Sequence, residues 1–165
     1  MHETPDDVTG LQELLDRSYA AAGEHLRSIF EPQHRIPAAD LPDLLTGVQV
    51  LSLATVTRRC EPRVAPVDGL FYRAAFWFGS SPTSARIRHV RARPQVSATH
   101  LRGESLAVVV HGRATLADLT DPEHAGFRAY CAEIYGGSWE DWGGAAPYAR
   151  IDPTAMFTYH RRDGG

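Results

Sequence analysis

The chain has 165 residues, of which 17 are basic and 20 acidic, and a formal net charge of -3. This length fits a domain that buries its own core without a disulfide or metal, and the acidic balance disfavours a nucleic-acid-binding protein. The sequence lacks a long apolar run and a secretion pattern, and Cys60 and Cys131 lack C-x-x-C spacing, so we expect a soluble cytoplasmic protein with ordinary buried thiols.

The first predicted element is an amphipathic helix over about residues 10–31. Thr9 and Gln12 form a capping-box pattern, and apolar residues then recur at helical spacing until Pro32 ends the helix. A polar connection and a short helical turn before Gly47 follow. We therefore expect an N-terminal helical extension over residues 1–35 and a second domain over residues 36–165.

From residue 48 the hydrophobic period changes from that of a helix to that of a strand. Only Arg73 and Ala74 separate the second predicted strand from the third, which indicates an antiparallel hairpin. The predicted strands cover residues 48–57, 63–72, 75–79, 95–101, 105–116 and about 148–160.

Two helices interrupt these strands. One is predicted from Ser81, as N-cap, to Arg93, because Pro94 forces the residue before it out of the helical region. The other begins with a capping box at Thr120 and ends at Gly136. Together the elements predict a mainly β (α+β) fold, a six-stranded antiparallel barrel with peripheral helices and an N-terminal helix.

Positive charge is concentrated in one segment of this acidic chain. The segment from Gly69 to Gly103 contains no aspartate or glutamate but six arginines, at positions 73, 86, 88, 91, 93 and 102. Such a local excess predicts a site for an anion. The alternative is that these arginines pair with acidic residues elsewhere in the chain.

Within that segment a predicted strand runs through a Gly/Ser turn into a helix. Free backbone N–H groups, hydroxyls and the positive end of the helix dipole favour a phosphate there, and a guanidinium fork matches phosphate oxygens. Helical spacing places Ile87 and Val90 on the face that docks on the barrel, with Arg86 beside it. Arg88 and Arg91 then project from roughly the opposite side.

The order of these parts resembles the flavin-binding split barrel of the pyridoxamine 5'-phosphate oxidase-like superfamily. More narrowly it is similar to the branch of flavin- and deazaflavin-dependent oxidoreductases. The resemblance covers about residues 44–160 and is carried by residues 53–56, 61–67, 76–78, the serine-rich turn with Arg86, and residues 93–97.

The resemblance implies a homodimer with two cofactors, FMN or deazaflavin F-420, between the subunits, and hydride transfer to or from a small organic substrate. The ring system would lie along the backbone of Arg63, Val64, Ala65 and Pro66. The phosphate or ribityl ligands would be Ser80, Ser81, Ser84, Arg86 and Arg88. Because the cofactor supplies the chemistry, no catalytic residue is named.

The sequence departs from the family pattern, which reads Arg-Lys-x-Arg-Asn after the serine. Here Ala85 and His89 replace a cation and an amide, which leaves FMN and the deazaflavin as alternatives. Other possibilities are a non-catalytic flavin or haem binding protein with storage, sensing or sequestration duties, and a dimeric scaffold with no specific ligand.

Three further features lie outside these motifs. The eight histidines show no metal-binding spacing, so we expect no metal site. Trp139 and Trp142 lie in a predicted loop, where they either pack beneath it or form a wall for the ring system or substrate. Asp68 is either a pocket carboxylate or a solvent-facing residue of its strand.

Overall fold

A closed barrel of six antiparallel strands forms the centre of the computed structural model, which describes residues 2–144 and 146–161. The strands are adjacent in the order β1-β2-β3-β6-β5-β4, which confirms the six-stranded antiparallel barrel predicted from the sequence. Their bounds are β1 Val48–Val56, β2 Pro62–Tyr72, β3 Ala75–Gly79, β4 Gln95–Arg102, β5 Leu106–Ala117 and β6 Tyr148–His160.

Helices lie around the barrel, as predicted. They are α1 Pro5–Ala21, α2 Glu24–Ile29, α3 Leu41–Leu44, α4 Ala85–Ala92, α5 Ala125–Tyr135 and α6 Trp139–Trp142, with short 3-10 turns at Pro32–His34, Ala38–Asp40 and Pro122–His124. In the described part of the chain, no helix combines the length and the apolar character needed to cross a membrane.

Alternation along the strands places the core inside the barrel. In β1, Leu51 and Leu53 are buried while Val50 and Ser52 point outward, as the pleat of a strand requires. The β2–β3 hairpin turns at Arg73 and Ala74, which both have positive φ (50° and 60°). This combination is typical of a turn that matches the twist of the flanking strands.

The barrel has two short seams of three paired rows each, between β3 and β6 and between β1 and β4, whereas β5 and β6 pair over twelve rows. The β1–β4 seam also has a side-chain contact. Beyond the last row, the His100 Nδ1–H donates to the carbonyl oxygen of Val50 at 3.1 Å, and the buried Nε2 of His100 has no hydrogen-bond partner among the described residues. The His100 side chain therefore supplies a hydrogen bond between β4 and β1 where the backbone ladder of these two strands has ended.

The N-terminal helix differs from its prediction at both ends. It begins at Pro5, because Thr4 and Asp7 form the capping box: the Asp7 N–H donates to Thr4 Oγ1 and the Thr4 N–H donates to Asp7 Oδ2. The predicted cap, Thr9, lies inside the helix, where its hydroxyl donates to the Pro5 carbonyl. Extended backbone at Ala22 and Gly23 then separates α1 from α2.

Two side chains fix α1 to β6. The Tyr19 hydroxyl accepts from the Thr158 N–H at 2.8 Å and donates to the Thr158 carbonyl at 3.0 Å. The Ser18 hydroxyl accepts from the Met156 N–H. Helix α1 is therefore hydrogen-bonded directly to strand β6 of the barrel. The domain boundary predicted at residue 35 stays a prediction.

A second apolar cluster lies outside the barrel, under α5 and α6. Trp77 of β3 stacks on Phe127 of α5, with ring centroids 4.1 Å apart, and Trp139 is fully buried beside them. Helix α5 starts later than predicted, because the chain first forms the 3-10 turn Pro122–His124, whose N-cap Asp121 accepts from the Glu123 N–H. This cluster holds α6 over one end of β2 and β6.

Candidate functional site

The turn between β3 and α4 concentrates four hydroxyl side chains. Ser84 is the N-cap of α4, since its Oγ accepts from the Ile87 N–H at 3.2 Å. The prediction of Ser81 as N-cap was wrong by one turn, because residue 81 lies in a turn closed by the bond from the Ser84 N–H to the Ser81 carbonyl. Ser80 Oγ in turn donates to Ser84 Oγ at 3.0 Å.

Arg86 lies beside these hydroxyls in the first turn of α4. Its guanidinium donates to Ser80 Oγ at 3.2 Å and to the Pro66 carbonyl at 2.8 Å. Burial lowers the pKa of Arg86, and no carboxylate in residues 2–144 and 146–161 pairs with it. Arg86 is a half-buried cation at the positive end of a helix, so the site lacks a compensating negative charge. An anionic ligand would supply it.

A cavity of about 440 Å³, which we call the β2–α4 cavity, opens next to Arg86. Leu53 and Thr55 of β1 contribute to its wall, and Thr55 Oγ1 lies 2.9 Å from Nδ1 of His89. Five of the predicted site residues line it: Arg63, Val64, Ala65, Ser84 and Arg86. The structure thus brings the two predicted ligand segments, one in β2 and one at α4, to the same cavity.

The predicted β2 residues differ in what their side chains do. The Arg63 guanidinium donates to the Glu61 carboxylate at 2.8 Å, so its charge is already compensated. Val64 is 68% exposed, and Pro66 contributes its carbonyl oxygen to Arg86. A ligand beside this segment would meet its backbone and the exposed apolar surface of Val64, and the role of these residues in binding a ring system stays a prediction.

Ser80 and Ser81 line a different and larger cavity, of about 560 Å³, which we call the aromatic cavity. Its other contributors include Asp68 of β2, Tyr135 at the end of α5, Trp142 of α6 and Tyr148 at the start of β6. Ser80 connects the two cavities, because it lines the aromatic cavity while its hydroxyl bonds to Ser84 and Arg86.

Arg88 lies apart from both cavities. Its guanidinium donates to the Thr83 carbonyl, and the residue lines a third cavity with Arg58 and Arg91. The predicted helix phase is confirmed, since Ile87 and Val90 are buried against the barrel. A direct role for Arg88 in holding a cofactor stays a prediction.

The aromatic cavity resolves the alternatives for the tryptophans and Asp68. The predicted loop is the short helix α6, in which Trp139 is buried and donates its indole N–H to Tyr148 Oη at 3.0 Å, whereas Trp142 is exposed and lines the cavity. Asp68 is both exposed and part of the cavity wall. Sequence reasoning missed the roles of Tyr135 and Tyr148, whose only signal was their position at the ends of predicted elements.

Among the residues that the structure describes, no group of three or more histidine, cysteine, aspartate or glutamate side chains is arranged to hold a metal ion. The candidate site therefore consists of an arginine, serine hydroxyls, backbone groups and aromatic surfaces. Such a set binds and orients an organic ligand.

Solved structures of several other proteins are similar to this fold. No protein-family model matches the sequence, and no curated protein matches it at the sequence level. Among solved structures, the heme storage protein HutZ from Vibrio cholerae has a TM-score of 0.63 and 16% identity, over 73% of this chain and 93% of that one. A FAD-binding protein from Mesorhizobium loti has a TM-score of 0.59 and 23% identity, over 74% and 92%. An F420 reductase has a TM-score of 0.54 and 19% identity, over 70% and 94%.

Proposed function

Because the chain has the split-barrel fold of the pyridoxamine 5'-phosphate oxidase-like superfamily, we propose that it binds a flavin-type cofactor, FMN or deazaflavin F-420, and acts as an oxidoreductase. The observation that carries this proposal is Arg86. It is a half-buried cation fixed at the N-terminus of α4, beside serine hydroxyls and without a carboxylate partner in the described residues. A phosphate supplies the missing charge.

The residues of the β2–α4 cavity fit such a cofactor by their chemistry. Ser84 and Arg86 would hold the phosphate, with Ser80 as a further hydroxyl ligand. The backbone of residues 63–65 would face the ring system with polar groups, and the exposed side chain of Val64 would face it with apolar surface. A planar ligand with a charged tail needs both kinds of contact.

When bound, the cofactor supplies hydride transfer. This chain's own residues would bind its phosphate, orient its ring and exclude water from the reacting face, with the apolar side chain of Val64 contributing to the last task. Proton transfer by a side chain is not part of this proposal, and no residue is assigned as catalytic.

A homodimer with the cofactor at the subunit interface belongs to the same proposal. Val50 of β1, Val64 of β2 and Leu101 of β4 are 59%, 68% and 59% exposed, respectively, on neighbouring strands. Large apolar side chains grouped on one face of a barrel favour coverage by another surface. Val64 belongs both to this face and to the β2–α4 cavity, so a second copy would approach the ligand. We also propose the cytoplasm as the location.

The second candidate is a flavin or haem binding protein without catalysis, and the heme storage protein among the similar structures favours it. His89 lines the β2–α4 cavity, and its imidazole would supply the nitrogen ligand that a haem iron requires. In this case binding would not be followed by turnover.

Two measurements separate these candidates. The absorbance spectrum of the purified protein, followed by titration with FMN, F-420 and haem, identifies the ligand that binds. Reduction of the loaded protein and screening of organic acceptors then tests turnover. Saturable flavin binding with acceptor-dependent reoxidation supports the oxidoreductase. Tight haem binding with no affinity for either flavin would support the second candidate and refute the first.

A further inference from the structure

The aromatic cavity has a chemistry different from that of the β2–α4 cavity. Three aromatic residues, Tyr135, Trp142 and Tyr148, are among the residues that line it. Of the described residues that line it, Asp68 alone has a side chain that is charged at neutral pH. Arg86, which defines the neighbouring cavity, does not line this one, because its guanidinium is directed to Ser80 Oγ and the Pro66 carbonyl.

The rings of Tyr135 and Trp142 form a corner. Their centroids are 5.4 Å apart and their planes are inclined at 83°. Trp142 is 63% exposed although it is a large apolar residue, so its free face is available to a ligand. Aromatic faces set at steep angles are the surfaces that bind organic ammonium groups, because the faces of the rings are electronegative.

Tyr148 closes the cavity on the side of the barrel. A Cβ atom at residue 79 would lie 2.9 Å from the Tyr148 ring, so the glycine at this position lets the ring lie against the backbone of β3. The Tyr148 hydroxyl is held by the indole N–H of Trp139. This wall is therefore fixed by packing before a ligand binds.

Asp68 supplies a negative charge that nothing in the described residues neutralises. Its carboxylate has no hydrogen-bond or ion-pair partner in residues 2–144 and 146–161. Burial raises the pKa of Tyr148 to about 12, and the negative charge of Asp68 also raises it. At Tyr135, burial raises the pKa of the phenol and the Asp68 carboxylate again adds to the effect. An anion placed in this cavity would be repelled, and a cation would be attracted.

We propose that the aromatic cavity is a binding site for a small organic cation, such as a substituted ammonium compound, with Asp68 as counter-ion and Trp142 and Tyr135 as the aromatic corner. The two cavities then sort ligands by charge, with the anionic group taken beside Arg86 and the cationic group beside Asp68. This inference goes beyond the proposed flavin chemistry and does not depend on it.

The test uses two probes of nearly equal shape, choline and its neutral analogue 3,3-dimethylbutan-1-ol. Both are titrated into the full chain by calorimetry, once without and once with saturating FMN, so that failure of flavin binding is measured separately. We expect choline to bind about tenfold more tightly than the neutral analogue, and a rise in salt to reduce that difference.

Variants locate the effect. Asp68→Asn should remove most of the preference for choline, and Trp142→Ala should weaken choline binding about tenfold. Asp43→Asn, which removes an exposed carboxylate from α3, away from the cavity, is the matched control and should change neither affinity. Thermal unfolding checks that each variant is folded.

Three results would overturn the proposal. They are equal affinity of the two probes for the unmodified chain, a choline preference that persists in a folded Asp68→Asn variant, and no saturable heat with choline into the high-millimolar range.

Discussion

Arg86 of α4 and Pro66 of β2 are joined by a hydrogen bond of 2.8 Å from the guanidinium to the carbonyl oxygen. The bond ties together the two elements that bound the β2–α4 cavity. It also fixes the orientation of the guanidinium, whose other terminal nitrogen donates a hydrogen bond to Ser80 Oγ. A cation that is oriented in advance loses less conformational entropy when its ligand binds.

Replacement of this cation should therefore weaken cofactor binding. We expect Arg86→Ala to reduce the affinity for FMN or F-420 by about 1.5 to 3 kcal/mol, the range for a hydrogen bond to a charged group. Arg91→Ala is the matched control, because Arg91 lies on the same helix but lines a different cavity, and it should cost less than about 0.5 kcal/mol. Fluorescence or absorbance titration measures both. An unchanged dissociation constant for Arg86→Ala would refute the placement of the phosphate.

The contact between α1 and β6 should depend on one hydroxyl. Tyr19→Phe leaves the buried Thr158 N–H without its acceptor, which should lower the free energy of unfolding by about 1 to 3 kcal/mol. Tyr159→Phe is the control, since the Tyr159 hydroxyl makes no hydrogen bond among the described residues. Urea unfolding followed by circular dichroism measures the difference. Equal midpoints for the two variants would contradict this assignment.

The capping box at the start of α1 predicts that the free energy of unfolding depends on pH. Burial opposes ionisation of Asp7, but hydrogen bonds from Arg73 and Thr4 outweigh it, and the pKa of Asp7 lies below its ordinary value. A depressed pKa in the folded state gives stability that is present above the unfolded pKa of about 4 and is lost as the pH falls through the folded value.

Asp7→Ala should accordingly destabilise the protein by about 1 kcal/mol at pH 7. The difference from the unmodified chain should stay constant down to about pH 5 and shrink below about pH 4. Unfolding curves across this pH range provide the measurement. A difference that grows on acidification would show that the sign is wrong.

The two thiols should react very differently. Burial raises the pKa of Cys131 to about 12, so almost no thiolate forms at neutral pH, whereas Cys60 is exposed, against the expectation that both are buried. We expect a disulfide reagent to modify one thiol per folded chain, and the second only in denaturant. Rapid modification of Cys131 in the native protein would contradict the burial of α5.

The barrel could be predicted from the sequence because its signals are local. The strands β1, β4 and β5 alternate between buried and more exposed residues, and the hairpin at Arg73 and Ala74 is specified by its length. The helix starts were harder, because four hydroxyls between residues 80 and 84 compete for one cap, and only the three-dimensional path of the chain selects Ser84.

For the candidate site, the sequence predicted the two segments, and the family resemblance predicted that they would meet around one ligand. The residues 63–65 and Arg86 meet in one cavity as expected, but Arg88 points to another because its side chain turns back to the Thr83 carbonyl. The aromatic cavity could not be predicted, since Asp68, Tyr135 and Tyr148 come from three elements that are distant in the chain. Their proximity is a product of barrel closure.

Ladder length around the barrel has a consequence for its motion. At two seams, β3–β6 and β1–β4, only three paired rows join the strands, so opening the barrel there costs less free energy than separating the twelve rows of β5 and β6. Amide protons should therefore exchange sooner along these two seams than along β5 and β6. Val50 of β1 and Leu101 of β4 are exposed beside the β1–β4 seam, so a second subunit bound there would stabilise one of the two short seams.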